Sequence, residues 1–216
     1  MRKFNTNISQ SNVAKVAGLG LLLMFFLAIF AEFVVLSNII VPGNTATTTN
    51  NIKANQALFY VAIACYLIIL TLDVVVALAL YIVLKPANRN LALLSSILRL
   101  LYTAIALVSY LALAFLFIDT YNYGVLIAYI FFIPHIFVLG YVVFKSVYLP
   151  TNIGILLIIA SLSYIFLLYG HFFIPKEWYN PLSLIFTLLA IIGELSIALW
   201  LLLKGAKISE TNTSIE

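Results

Sequence analysis

The sequence predicts an all-α membrane protein, a bundle of six transmembrane helices with both termini in the cytoplasm. Three observations lead to this fold class. The 216 residues are 65% hydrophobic and only 8% charged, whereas soluble domains carry about 25% charged residues. Six apolar runs follow one another along the chain, each near the roughly 17–25 residues that cross a bilayer core. Lysine and arginine concentrate in alternate connections between the runs, as they do in cytoplasmic loops.

The apolar runs form one domain between two polar tails. Residues 1–13 predict a cytoplasmic tail, residues 14–205 the transmembrane domain, and residues 206–216 a second cytoplasmic tail. The first run exceeds the roughly 7–15 apolar residues of a signal peptide and no clear cleavage site follows it, so we expect a retained helix. Residues 42–56, rich in threonine and asparagine, predict a polar loop. The predicted helices span about residues 16–41, 57–84, 91–118, 125–144, 153–169 and 182–203.

The distribution of basic residues predicts the orientation. With the N-terminus in the cytoplasm, the inner segments hold eight basic residues and the outer loops hold two, Lys53 and Lys176. The remaining one, Arg99, lies inside an apolar run. Because positive residues accumulate on the cytoplasmic side, this asymmetry favours an inside location for both termini. The inner residues are Arg2, Lys3, Lys15, Lys85, Arg89, Lys145, Lys204 and Lys207.

Each helix that runs inward ends in an aromatic residue, three apolar residues and a lysine. The three segments are 81–85, 141–145 and 200–204. This pattern fits either a threefold repeat of helical hairpins or convergence, since interfacial aromatics with a snorkelling lysine suit any inner helix end. Under either interpretation, the three lysines mark the inner membrane surface and serve as a common reference for depth in the membrane.

Four charged or titratable side chains lie at similar depth. At 1.5 Å rise per residue, Asp73 is about 18 Å from Lys85 along its helix, and Arg99, His135 and Glu194 are each about 15 Å from their inner anchors. In a core roughly 30 Å thick these positions fall near the midplane. Glu32, about 25 Å from its anchor, lies nearer the outer face.

A lone charge at this depth costs at least about 2.5–3.5 kcal/mol, so we expect these side chains to face one another. Three hypotheses remain open. In a structural network, Arg99 pairs with Asp73 and Glu194, and His135 is a neutral hydrogen-bonding partner. In a ligand or proton site, Arg99 anchors an anionic group, His135 and Glu194 titrate, and Asp73 is the counter-ion. In a metal-dependent intramembrane hydrolase, His135, Asp73 and Glu194 bind the ion, although Arg99 would oppose a cation.

The preferred function is binding or transport of a small or lipid-like ligand at this midplane pocket, with Asp73, Arg99, His135, Glu194 and Glu32 as its residues. A non-enzymatic role is favoured, and the catalytic residues, if any exist, are unknown. The chain contains no phosphate-binding loop, no HExxH spacing and no nucleic-acid motif, and Cys65 is alone and cannot pair within the chain. We therefore expect membrane lipids as partners and no cofactor, metal or nucleic acid; the oligomeric state is open.

Three segments together resemble one family. They are LYIVLKPANRNLALLSSILRL at 80–100, FFIPHIFVLGYVVFKSVYLPTNIGILL at 131–157 and GELSIALWLLLKG at 193–205. The combination resembles the bacterial domain-of-unknown-function 4386 family of integral membrane proteins, over nearly the whole chain. The likeness includes Arg89, Arg99, His135 and Glu194, and departs at Pro134 and at SYIF (163–166), where an acid is expected. It implies a multi-pass protein of the bacterial inner membrane and supplies no activity.

Overall fold

The computed structural model describes residues 10–213, apart from the side chains of His171 and of residues 206–213. Within this range it contains seven helices and no strand, so the predicted all-α fold class is confirmed. Six of the helices are long and apolar enough to cross a membrane. The helices are α1 Gln10–Ile39, α2 Thr45–Ala54, α3 Gln56–Leu84, α4 Arg89–Ala114, α5 Ile118–Lys145, α6 Thr151–Phe173 and α7 Lys176–Thr213, and residues Ile29–Leu36 of α1 are π-helical.

The predicted polar loop at 42–56 contains a helix, α2, and this part of the prediction is wrong. Asn44 caps the helix, since its Oδ1 accepts from the Thr47 amide at 2.9 Å. Thr48 is fully buried and exchanges hydrogen bonds with the backbone of Val41. Asn51 donates to the carbonyl of Ile39 at the end of α1. These tertiary contacts outweigh the low helix propensity of threonine and asparagine.

Several helix ends differ from the predicted bounds. Helix α5 begins at Ile118 rather than near 125, and Asp119 in its first turn complements the positive end of the helix dipole. Helix α7 spans 176–213 rather than 182–203. It starts earlier than predicted because the carbonyl of Pro175 accepts hydrogen bonds from two backbone amides of the first turn. Residues 10–13 of the predicted first tail are helical, and 206–213 continue α7. Residues 1–9 and 214–216 lie outside the described range.

The six long helices form a closed ring in which each packs against two others. The order around the ring is α1, α3, α4, α5, α6, α7 and back to α1. Ser11 and Gly205 lie next to each other at the start of α1 and along α7. The start of α1 and the part of α7 around Gly205 therefore lie at the same end of the bundle. We call this the near end; it also carries the Lys85–Arg89 turn and the 146–150 connection.

The bundle contains two buried apolar clusters, which differ in the helices that contribute to them. The near-end cluster includes residues from all six long helices, from Val13 to Leu201. The far-end cluster runs from Ala31 to Ala128 and includes residues of α1 to α5 only. Among the described residues, it includes none from the far ends of α6 and α7. The near end is thus closed by buried apolar residues from all six long helices. The far end has fewer buried apolar residues on the side of α6 and α7.

Two glycines allow the closest helix approaches at the near end. A Cβ added at Gly18 of α1 would lie 2.5 Å from the backbone nitrogen of Leu202 in α7. A Cβ at Gly154 of α6 would lie 2.5 Å from the backbone nitrogen of Phe144 in α5. Small residues let helix backbones approach closely in membranes, where apolar burial between helices gives little driving force.

Candidate functional site

Asp73 and Arg99 form a buried ion pair between α3 and α4. Arg99 donates from Nε to Oδ1 of Asp73 at 2.8 Å and from Nη2 to the same oxygen. Oδ2 of Asp73 accepts a hydrogen bond from the Thr103 hydroxyl. The side chains of Asp73 and Arg99 are 1% and 4% exposed. Both carboxylate oxygens thus have partners, as a charge away from water requires.

His135 of α5 joins this pair through the other side of the guanidinium. Nη1 of Arg99 lies 3.1 Å from Nε2 of His135. Because a guanidinium has only donors, Nε2 accepts and carries no proton. Nδ1 lies 2.8 Å from the carbonyl oxygen of Ser95 and 3.0 Å from its hydroxyl, so the proton of the neutral ring is at Nδ1. The network links α3, α4 and α5.

The spacing along α4 explains why one helix supplies most of the network. Ser95, Arg99 and Thr103 are four residues apart and share one face of α4. Ser96, on the adjacent stripe, donates to the carbonyl of Ala77 on α3 at 2.9 Å. The carbonyl oxygen of Arg99, one turn earlier, lies 2.8 Å from the Thr103 hydroxyl and competes with Asp73 for its single hydrogen. This polar face therefore packs against α3 and α5.

A cavity of about 490 Å³ lies inside the ring, and all six long helices line it. Asp73 and Arg99 form part of its wall toward the near end, while His135 lies behind Arg99 and does not line it. Along α4 the lining extends from Arg99 to Tyr110, about 16 Å at 1.5 Å per residue. The volume falls within the roughly 300–1,000 Å³ of small-molecule pockets.

Glu194 of α7 faces this cavity without a basic partner. Tyr164 of α6 donates its hydroxyl to Oε1 of Glu194. Among the described residues, the pair of Arg99 with Asp73 is the single salt bridge. Glu194 is only partly buried because it borders the cavity.

Glu32 of α1 also lines the cavity and lies in the π-helical turn. Tyr66 of α3 donates to its Oε2 at 2.6 Å. The Tyr66 ring stacks on Tyr110 at 3.7 Å between centroids, and Tyr110 contacts Tyr121 at 5.3 Å. π-Helical turns occur frequently at functional sites. Here the π-helical segment contains Glu32, which brings a carboxyl group to the cavity.

The mouth of the cavity lies beside α1. Phe33 lines the cavity and is nevertheless 58% exposed, so it lies at the rim. Thr187 and Ile191 of α7 also line the cavity. Helices α1 and α7 are neighbours in the ring and touch closely at Gly18 near the other end. We infer from the exposure of Phe33 that the mouth lies between the far ends of α1 and α7, on a side of the bundle that faces lipid in a membrane.

The sequence matches the family described as "Domain of unknown function (DUF4386)" over residues 16–116 and 109–205. The chain belongs to the DUF4386 family. A protein of Archaeoglobus fulgidus, named only as an uncharacterised protein, is 37% identical over 152 residues, which cover 70% of this chain and 87% of the relative. No solved structure matches the chain. The resemblance inferred from the three sequence segments is therefore confirmed as to family, and the bacterial origin stays a prediction.

In this DUF4386 protein the predicted site residues separate into two sets. Asp73, Arg99 and His135 meet in one network, whereas Glu194 and Glu32 each pair with a tyrosine at the cavity wall. Arg99 does not reach Glu194 within ion-pair distance, and His135 does not hydrogen-bond to it in the described part of the chain. The expected four-member cluster is thus a three-member network beside a separate carboxyl group.

The metal-site hypothesis finds no support in this arrangement. Nε2 of His135, a potential metal ligand, is bound to the positive guanidinium of Arg99. Over residues 10–213, no three histidine, cysteine or acidic side chains with described positions group closely enough to hold an ion.

Six tyrosines of this DUF4386 member line the cavity, and the sequence did not predict them as a group. They are Tyr66, Tyr102, Tyr110, Tyr121, Tyr129 and Tyr164. Three of them, Tyr66, Tyr102 and Tyr110, lie in the predicted helices that carry Asp73 or Arg99. Tyr121 lay in a segment predicted as a loop, and Tyr164 in the segment where the family resemblance led us to expect an acid.

Proposed function

We propose that this chain binds a small ligand in the cavity enclosed by its six long helices. The observation that carries the proposal is the cavity itself, about 490 Å³ with a mostly apolar and aromatic lining and a few polar groups at set positions. Ligand sites are concave and mainly apolar, with a small number of polar groups that fix orientation.

The rim at Phe33 supports entry from the bilayer. A ligand with an apolar body partitions into lipid and meets the mouth between the far ends of α1 and α7. The polar groups on the wall then receive its polar part. Transport requires a second opening at the near end, where the apolar cluster from all six helices lies. Binding is therefore the function supported best, and transport would need separation of that cluster.

The network of Asp73, Arg99 and His135 suggests a different role for those residues. Its charges and ring nitrogens are all engaged within the protein. We propose that it holds α3, α4 and α5 in register beside the cavity. A purely structural role for the whole protein is the second candidate, and it is favoured by this self-contained network.

The test is native mass spectrometry of the protein released from its own membrane lipids. Thr187→Phe places a ring in the cavity, and Leu188→Phe places the same ring on the lipid-facing side of α7, where Leu188 is 51% exposed. We expect a bound mass in the wild type and in Leu188→Phe that Thr187→Phe loses. The same set of bound masses in all three proteins would contradict ligand binding in the cavity.

A further inference from the structure

The cavity contains more acid than base. Asp73 and Arg99 cancel each other, which leaves Glu32 and Glu194 without a cationic partner. Arg99 is the single basic residue among the described residues that line the cavity. Each glutamate accepts a hydrogen bond from a tyrosine hydroxyl at one carboxyl oxygen. A ligand with a positive charge would supply the missing compensation.

Glu194 lies beside a group of four aromatic rings that also line the cavity, here called the aromatic cluster: Tyr102, Tyr129, Phe132 and Tyr164. Neighbouring centroids are 4.6–6.3 Å apart, from Tyr102–Phe132 to Tyr102–Tyr129. Phe132 meets Tyr164 at an interplanar angle of 81° and Tyr129 at 89°. In an edge-to-face pair the edge of one ring lies against one face of the other, so neither ring has both faces occupied by the pair. A ring face attracts cations within about 6 Å.

The surroundings of Glu32 are less suitable. Its partner Tyr66 is stacked face to face on Tyr110 with centroids 3.7 Å apart and planes 18° apart. Each of these two rings therefore has one face covered by the other. Glu194 lies beside a cluster of four rings without such close face-to-face stacking, whereas the ring that binds Glu32 is stacked.

We propose that the ligand of this cavity is an organic cation, an amine or quaternary ammonium with an apolar body, whose charge lies between Glu194 and the aromatic cluster. This assignment rests on the proposed function and specifies its ligand class. Aromatic rings with a nearby carboxylate recognise quaternary ammonium groups by cation–π attraction and charge pairing. The apolar body would extend toward the rim at Phe33. Arg99, already neutralised by Asp73, would not anchor the ligand as the sequence suggested.

The test compares three probes of similar shape on the full chain in lipid nanodiscs. Benzyltrimethylammonium carries the charge, neopentylbenzene is its neutral carbon isostere, and benzylsulfonate is an anion. We expect the cation to bind at least about tenfold more tightly than the neutral isostere, a factor that corresponds to about 1.4 kcal/mol. We expect no saturable binding of the anion. Direct calorimetric titration measures the charged probes, and competition against the cation measures the neutral one.

Two isosteric variants test which glutamate binds the charged group of the ligand. Glu194→Gln should lose most of the preference for the cation over the neutral isostere, while Glu32→Gln should keep most of it. The melting temperature of each variant checks its fold. An equal loss in both variants, or a wild type that binds the neutral isostere as tightly as the cation, would overturn the cation assignment but leave ligand binding intact. If no probe binds and Thr187→Phe removes no bound mass, the proposed function fails as well.

Discussion

Arg99 donates two hydrogen bonds, from Nε and Nη2, to a single carboxylate oxygen of Asp73, and a third from Nη1 to His135. The positive charge of Arg99, within the membrane span, is therefore compensated inside the protein. Hydrogen bonds between two charged groups are stronger than those between neutral groups. Desolvation cancels much of their gain, so such a pair is better described as costly to break than as a source of stability.

Removal of one member of this pair should be strongly destabilising. Arg99→Ala leaves the Asp73 carboxylate buried with Thr103 alone, and we expect a loss of about 3–5 kcal/mol. The double variant Arg99→Ala with Asp73→Ala should recover part of that loss, because no uncompensated charge remains. Thermal or denaturant unfolding in a fixed detergent measures both. Equal stability of the single variant and the wild type would show that the pair does not hold the helices together.

Gly154 should not tolerate even a methyl group. An added Cβ would lie 2.5 Å from the Phe144 nitrogen and 2.8 Å from the Gly140 carbonyl oxygen, and backbone atoms cannot move away as a side chain can. Gly154→Ala should therefore lower the melting temperature, although alanine in a helix is otherwise favoured over glycine by roughly 1 kcal/mol. Ile155→Ala, at a neighbouring position that is 43% exposed, should have a smaller effect. A more stable Gly154→Ala variant would contradict the close approach of α5 and α6.

Tyr148 fastens the 146–150 connection to α3. Its hydroxyl donates to the carbonyl of Val83 at 2.9 Å, and burial raises the pKa of this tyrosine above its usual value. Tyr148→Phe should cost about 0.5–1.5 kcal/mol, the usual net contribution of one hydrogen bond. Tyr123→Phe, at a tyrosine that is 68% exposed, is the control. The two variants should differ in unfolding free energy; if they do not, the hydrogen bond adds nothing.

The orientation predicted from basic residues can be measured by cysteine labelling. In a Cys65→Ala background, Ala46→Cys lies in exposed α2 and Asn90→Cys at the exposed start of α4. With both termini inside, an impermeant maleimide added to intact cells should label position 46 and leave position 90 unlabelled until the membrane is opened. The reverse labelling pattern would show that the bundle is inserted with its near end outside.

The number and order of the spanning helices could be predicted because a bilayer imposes a long apolar run on each helix. All six predicted runs fall within α1 and α3 to α7 to within a few residues at the helix ends. The failures lie where polar residues are held by tertiary contacts. Thr48 is buried and Asn51 caps α1, and neither contact is encoded locally. Asp119 and its neighbours look like a loop by hydropathy yet form the first turn of α5.

The depth of the charged residues was predictable, but their partners were not. Helical rise placed Asp73, Arg99, His135 and Glu194 in one layer, and the structure brings the first three together. Which side of α7 faces α4 depends on the packing of the whole ring, so the separation of Glu194 from Arg99 could not be read from depth alone. The tyrosine partners of Glu194 and Glu32 likewise come from neighbouring helices whose rotation the sequence does not specify.

The most direct measurement is a crystal structure grown in a lipid mesophase and soaked with 4-bromobenzyltrimethylammonium, whose bromine is located by anomalous scattering. We expect one bromine peak inside the cavity, with the ammonium group beside Glu194 and within about 6 Å of a ring of the aromatic cluster. We expect this peak to be lost in Thr187→Phe. A cavity without bromine at saturating probe concentration, or peaks confined to the lipid-facing surface, would contradict binding of an organic cation in the cavity.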